Sequence, residues 1–69
     1  MVKAMVYKDV RRALLDEGCF LKSTRGSHEK WVCPCGKHQS IVPRHKVVSP
    51  GVVRDVIGKL DCLREGWLQ

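Results

Sequence analysis

The sequence predicts an α+β fold in which two helices flank a three-stranded antiparallel sheet, in the chain order α-β-β-β-α. Two amphipathic segments with helical spacing lie towards the two ends of the 69-residue chain. Between them, short runs rich in β-branched and aromatic residues are separated by turn-forming residues. One sheet can bury one face under two helices, so we expect a two-layer sandwich. A chain of this length has room for one hydrophobic core, and residues 1–69 are predicted to form one domain.

The first helix is predicted over residues 6–17. Apolar residues recur at helical spacing, with Val10, Ala13 and Leu14 on one face and charged residues on the other. Gly18 follows, at the position where a left-handed residue commonly ends a helix. A convincing N-cap residue is missing from the sequence, so the start of this helix is defined less sharply than its end.

Three strands arranged as a meander are predicted in the middle of the chain. Residues 25–28 and 34–37 contain Gly or Pro and are predicted to form the two turns between them. Pro43 cannot donate a hydrogen bond to a sheet ladder, so it is expected to end the third strand. The predicted strands cover residues 19–24, 30–33 and 38–42.

The second helix has clear start signals. Ser49 offers an N-cap hydroxyl, and Pro50 suits the first helical position because its missing N–H is not needed there. Apolar residues at helical spacing continue over residues 53–60, and the helix is expected to end near residues 60–62. Trp67 lies close to the end of the sequence, where a Trp usually packs back on the core or on a partner.

The charge balance of the chain is strongly basic. Thirteen Lys and Arg oppose seven Asp and Glu, which gives a formal net charge of +6. Such an excess attracts phosphate polyanions, so nucleic acid is the first partner to consider, and a basic surface kept for solubility is the alternative. The sequence has no apolar run of the ~18 residues that a membrane helix needs, and we expect a cytoplasmic protein without a membrane partner.

Four motifs occur in a fixed order along the chain. They are Glu-Gly-Cys-Phe at 17–20, Gly-Ser-His at 26–28, Val-Pro-Arg-His at 42–45 and Ser-Pro-Gly-Val-Val at 49–53. Together, over roughly residues 5 to 60, they resemble the HicA toxin family. The resemblance implies a fold like that of double-stranded-RNA-binding domains. It also implies an mRNA interferase that acts as the toxin of a type II toxin–antitoxin system and pairs with a HicB-like antitoxin protein.

The resemblance matches His28 to the catalytic histidine of the family. RNA carries its own nucleophile, the 2′-OH, and an imidazole with a pKa near ~6.5 can take or give a proton close to neutrality. Gly26 can adopt a positive φ and let an RNA backbone approach closely. Without the resemblance, a solvated turn histidine is the simpler interpretation. We therefore expect an endoribonuclease that cleaves mRNA with His28 as its catalytic residue and needs no metal or other cofactor.

Basic and polar residues around His28 are candidates for binding RNA. Arg44 is the first choice because a planar guanidinium can hold a phosphate through two hydrogen bonds. His45 is either a second proton-transfer group or a structural hydrogen-bond donor. A non-catalytic RNA-binding module is the alternative function, but such modules usually carry a lysine cluster that residues 49–53 lack. The predicted RNA-binding residues are Arg25, Gly26, Ser27, Lys30, Arg44, His45 and Lys46.

Cys33, Cys35 and His38 resemble part of a zinc knuckle, because thiolates on a Gly-containing turn suit tetrahedral zinc. Only one residue separates the two cysteines, whereas knuckles use two to four, and a fourth ligand would have to come from Cys19 or Cys62. A hairpin turn with reduced thiols is the favoured interpretation, and we predict no metal site. A small zinc-stabilised interaction domain is the third class of function left open.

Overall fold

The computed structural model describes residues 2–69 and confirms the predicted α+β class and α-β-β-β-α order. The arrangement is consistent with a fold like that of double-stranded-RNA-binding domains. Within the described residues, neither helix has the length and apolar character of a membrane span. In chain order the elements are β1 (Met5–Val6), α1 (Tyr7–Asp16), β2 (Phe20–Arg25), β3 (His28–Val32), β4 (Gln39–Pro43), β5 (Val47–Val48) and α2 (Pro50–Lys59).

The central sheet is an antiparallel meander in the order β2-β3-β4. Arg25 pairs with His28 across a two-residue turn, so His28 begins β3 and does not belong to the connection where the sequence analysis placed it. Gly26 has a φ of +59° while Ser27 keeps a negative φ, which is the type II′ pattern favoured in two-residue hairpins. A tight turn of this kind lets the two strands pair right up to their ends.

The N-terminal helix forms as predicted, within one residue at each end. Val10 and Leu14 are fully buried, and Gly18 adopts a φ of +84° just past the helix end. Val6 occupies the N-cap position without a side-chain hydrogen bond, in agreement with the weak start signal in the sequence. The amphipathic pattern therefore fixes this helix through burial of one face.

The second helix begins at the predicted cap. The Ser49 hydroxyl accepts a hydrogen bond of 3.4 Å from the backbone N–H of Val52, and Pro50 is the first helical residue. Val53 and Val56 are fully buried in the core. The predicted return of Trp67 to the core is confirmed, because its side chain is only 8% exposed.

The core lies between the helices and the inner face of the central sheet. Trp31 on β3 and Val42 on β4 are buried there against the apolar sides of α1 and α2. The opposite face of the sheet carries His28, Lys30 and Ile41, which are exposed or half-buried, while Val32 at its far end is buried. This open face is where the structure leaves room for a ligand.

A second, two-stranded sheet was not predicted. Met5 pairs with Val48 and Val6 pairs with Val47, so β1 and β5 run antiparallel. The backbone N–H of Tyr7 also donates a 3.0 Å hydrogen bond to the carbonyl of Lys46. These contacts hold the start of α1 beside the segment that leads into α2.

Candidate functional site

The open face of the central sheet brings three of the predicted site residues together. His28 lies directly opposite Arg25 on β2, and Lys30 follows two positions along β3. Side chains of paired residues and of residues two apart in a strand share one face, so all three point to the open side. They line a surface pocket of about 570 Å³, which is formed by Ser23, Thr24, Arg25, His28, Lys30 and Ile41.

The hairpin turn of Gly26 and Ser27 lies next to this pocket, between Arg25 and His28. A Cβ added to Gly26 would meet no atom within 4 Å, so the turn projects into open space. The carbonyl of Ser27 accepts a 2.6 Å hydrogen bond from the backbone N–H of Arg44. The turn is therefore fixed to the end of β4 and remains accessible on its outer side.

The other predicted residues form a separate group. Arg44, His45 and Lys46 are exposed and line a second pocket of about 270 Å³. Val6 of β1 and Tyr7 and Lys8 of α1 complete its wall. The predicted set thus divides into an open-face group around His28 and a second group between β4 and β5. Sequence spacing gave no sign of this division, because it depends on the pairing register of the strands.

A buried carboxylate lies behind His28, on the inner face of the sheet. Glu29 is 5% exposed and accepts hydrogen bonds at Oε1 from Tyr7 Oη (2.5 Å) and Trp31 Nε1 (3.2 Å). Burial, followed by the hydrogen bond and charge of Glu29, raises the pKa of Tyr7 to about 12. The network joins α1 to β3 next to the pocket. This network was not predicted, because the second strand was expected to begin only at Lys30, after Glu29.

A second cluster of reactive side chains lies at the other end of β3. Four possible metal-ligand atoms lie within 4.8 Å of one another there, one each from Cys33, Cys35, His38 and Cys62. His38 Nδ1 lies 3.3 Å from Cys35 Sγ and 3.6 Å from Cys33 Sγ. Cys62 Sγ lies 3.5 Å from Cys35 Sγ. Of the two cysteines considered as a fourth member, the structure brings in Cys62 and leaves Cys19 buried elsewhere in the core.

The electrostatics of this cluster favour a thiolate beside a protonated imidazole. Burial alone would raise the pKa of Cys33, but hydrogen bonds within the cluster outweigh it and lower the pKa to about 5. Hydrogen bonds with Cys35 and Cys33 raise the pKa of His38. The hydrogen bond with Cys33, together with burial, raises the pKa of Cys62 to about 12. The hydrogen bond with Cys33 would raise the pKa of Cys35, but hydrogen bonds from the Lys37 N–H and with His38 outweigh it and lower that pKa. The group therefore favours negative charge on Cys33 and Cys35.

One family model matches this chain, described as the HicA toxin of bacterial toxin–antitoxin systems, and the match covers residues 7–61. No curated protein and no solved structure matches the chain significantly. The matched residues include both helices, the central sheet and both groups of predicted RNA-binding residues. They make up well over half of the sequence. The chain accordingly belongs to the HicA toxin family of bacterial toxin–antitoxin systems.

Proposed function

We propose that this toxin is a metal-independent endoribonuclease that cleaves mRNA, with His28 as its catalytic residue. The observation that carries the proposal is the pocket on the open face, where His28 lies opposite Arg25 and beside Lys30. An imidazole on the same face as two positively charged side chains suits a reaction at a phosphodiester. The family membership supports the same assignment.

The reaction follows from the chemistry of RNA. The His28 imidazole accepts the proton of the 2′-OH, whose oxygen attacks the adjacent phosphorus. The bond from phosphorus to the 5′-oxygen breaks, and that oxygen takes the proton from the His28 imidazolium, which returns the imidazole to its neutral form. The products are a 2′,3′-cyclic phosphate and a 5′-hydroxyl. Negative charge builds up on the phosphoryl oxygens during attack, and positive side chains held in place beside them stabilise it.

Arg25 is better placed than Arg44 to stabilise that charge. It is paired with His28 in the sheet, whereas Arg44 lines the second pocket. Lys30 supplies a second positive charge on the same face. Arg44, His45 and Lys46 then bind neighbouring phosphates of the RNA chain, and the Gly26-Ser27 turn between the two groups lets the RNA backbone pass closely.

Replacement of the catalytic imidazole tests the proposal directly. His28→Ala should lower the rate of RNA cleavage by about 10²–10⁴-fold, which is the usual contribution of general acid–base catalysis. Its unfolding transition should match wild type, because His28 is exposed and contributes little packing. Cleavage of a labelled RNA by purified protein gives the rate, and growth arrest on induction gives the toxicity. A folded His28→Ala protein that cleaves at the wild-type rate would refute the assignment.

Two variants that each lose one positive charge distinguish RNA binding at the pocket from general attraction of RNA to a basic protein. Arg25→Ala should weaken RNA binding and reduce the dependence of log K on log salt by about 0.7, the value for one lost phosphate contact on a single strand. Arg54→Ala removes the same charge from the exposed side of α2, away from the open face, and should change binding much less. Equal losses in the two variants would show that RNA responds to net charge and not to this pocket.

Independence from metal at the reaction centre is tested with chelator. Cleavage should persist in excess EDTA for as long as circular dichroism shows folded protein, because the groups used are an imidazole and the 2′-OH. Loss of cleavage by protein that stays folded, with recovery on addition of one divalent metal, would contradict this part of the proposal.

The proposed antitoxin partner should cover the basic face. A HicB-like protein with an acidic surface would associate rapidly with a chain of net charge +6, and its on-rate should fall as salt rises. Binding of RNA to inactive His28→Ala protein should compete with antitoxin at fixed salt. If saturating antitoxin left the RNA affinity unchanged, the inhibitory contact would have to lie away from the open face.

A further inference from the structure

Three cysteines and one histidine converge at the end of β3 that lies opposite the His28 pocket. Cys33 and Cys35 come from the turn after β3, His38 from the end of that turn, and Cys62 from the segment after α2. We infer that these four side chains bind one Zn²⁺ ion in a tetrahedral site that stabilises the fold. The inference does not depend on the proposed ribonuclease activity.

Three of the six ligand–ligand distances in the cluster match the edges of a zinc tetrahedron. Zn–S bonds of ~2.3 Å and Zn–N bonds of ~2.0–2.1 Å place two sulfur ligands about 3.8 Å apart and a sulfur and a nitrogen about 3.5 Å apart. Cys35 Sγ lies 3.5 Å from Cys62 Sγ. His38 Nδ1 lies 3.3 Å from Cys35 Sγ and 3.6 Å from Cys33 Sγ. The remaining separations within the cluster are at most 4.8 Å, so binding of the ion would draw the ligand atoms together by up to about 1 Å.

Neighbouring groups already hold the ligands in the required orientation. His38 presents Nδ1 to the sulfurs while its Nε2 lies 3.4 Å from Asp61 Oδ1. A carboxylate on the far ring nitrogen is the usual partner of a metal-binding histidine, because it fixes the tautomer and the ring plane. The backbone N–H of Lys37 donates to Cys35 Sγ at 3.4 Å, which stabilises a thiolate there.

The turn between β3 and β4 brings its two cysteines together despite their close spacing. Gly36 has a φ of +77° and its N–H donates a 2.9 Å hydrogen bond to the carbonyl of Cys33. This reversal directs both thiols to the same side, so a separation of one residue is no obstacle. A spacing of two to four residues between cysteines belongs to knuckles with a longer turn than this one.

Four protein ligands leave no open position for substrate, which is the arrangement of structural zinc sites. The cluster is also far from the proposed reaction centre, because Cys33 follows His28 by five strand positions, or about 16 Å at ~3.3 Å per residue. The ion would join the β3–β4 turn to the segment after α2 and so close the sheet onto the helix. Cys62 lies one residue beyond the span of the family match, so the match does not account for the complete ligand set.

Metal analysis of the full chain tests the inference. Protein purified under reducing conditions and reconstituted with ZnCl₂ should retain one zinc per chain after desalting. Cys35→Ser and Cys62→Ser should each lose most of the bound zinc. Both side chains are exposed, so these changes leave the core packed. Cys19→Ala is the matched control, since Cys19 is a free thiol outside the cluster, and it should keep one zinc per chain.

Cobalt provides a readout of the ligand set itself. Co²⁺-loaded wild type should show the visible absorption of tetrahedral thiolate coordination, and Cys62→His should keep a metal with a shifted spectrum, because imidazole replaces a sulfur. Removal of zinc by chelator should lower the melting temperature of wild type and of Cys19→Ala but not that of Cys62→Ser.

Three results would overturn the inference. The first is reduced wild-type protein that remains free of zinc after reconstitution. The second is Cys62→Ser protein that binds zinc as wild type does. The third is a disulfide between Cys35 and Cys62 that persists under reducing conditions, seen as a chain mass lower by two hydrogen atoms. The 3.5 Å separation of the two sulfurs would allow this bond after a small movement.

Discussion

The hydrogen bond from Tyr7 to the buried Glu29 carboxylate should make a measurable contribution to stability. Tyr7→Phe removes the phenolic donor and keeps the ring, so packing at the start of α1 is preserved. Glu29 then retains only the 3.2 Å hydrogen bond from Trp31 at Oε1. A buried carboxylate that loses one of its donors is solvated less well in the folded state than in the unfolded chain.

Two lines of reasoning give similar magnitudes for this change. A hydrogen bond to a charged group typically contributes about 1.5–3 kcal/mol. The pKa of Tyr7 is raised from 10.0 to about 12, first by burial and then by Glu29. That difference corresponds to at most ~2.7 kcal/mol, since one pKa unit equals ~1.4 kcal/mol, and only the part caused by Glu29 belongs to this hydrogen bond. Because Tyr7 is only partly buried, solvent screening reduces this ceiling. We expect a loss of about 1.5–2 kcal/mol, or roughly 6–16 °C in melting temperature.

Equilibrium denaturation of wild type and Tyr7→Phe at pH 7 measures the loss, and a double-mutant cycle with Glu29→Gln isolates the pairwise contribution. The folded pKa of Tyr7 lies above its unfolded value, so its stabilising effect is complete below about pH 10 and is lost as pH rises through about 12. The gap between the two proteins should close over the same range. A loss below ~0.5 kcal/mol at pH 7, or a gap that does not change with pH, would refute the reasoning.

Four substitutions test other parts of the fold by equilibrium denaturation. Ser49→Ala removes the α2 cap and should cost about 1 kcal/mol; an unchanged midpoint would mean that water replaces the hydroxyl. Gly18→Ala places a Cβ on a residue with a φ of +84° and should cost about 1–2 kcal/mol. Gly58→Ala should stabilise the protein by about 0.5–1 kcal/mol, because the added Cβ meets open space in a helix; destabilisation would contradict this. Trp31→Ala should cost about 3–5 kcal/mol and leave the chain largely unfolded by circular dichroism.

The helices and the order of the strands could be predicted because their signals are local. A 3.6-residue apolar period and a Ser-Pro start are each sufficient to define a helix. The β1 and β5 strands could not be predicted, since two residues carry no period and their pairing depends on the folded core. The misplaced start of β3 has a different cause. The Gly-Ser pair at 26–27 was a two-residue hairpin signal, and a longer connection was expected.

The candidate sites depend on contacts that sequence distance does not show. The pocket around His28 follows from the pairing register, which places Arg25 opposite it and Arg44 outside. The assignment of His28 as the catalytic residue remains a prediction. For the cysteine cluster, counting residues between Cys33 and Cys35 argued against a metal. Cys62 reaches the same point only because α2 ends beside the β3–β4 turn.

Strand β2 lies at an edge of the central sheet, and all six of its residues are exposed. Its outer backbone groups are a template on which a strand from another molecule could assemble into a growing fibre. The register shift between Leu21 and Ser23 makes Lys22 an extra residue in the strand, and such a bulge bends and twists the edge. Lys22 also places a charge at the bend. One additional residue therefore makes the β2 edge a poor template for pairing with a strand of another molecule.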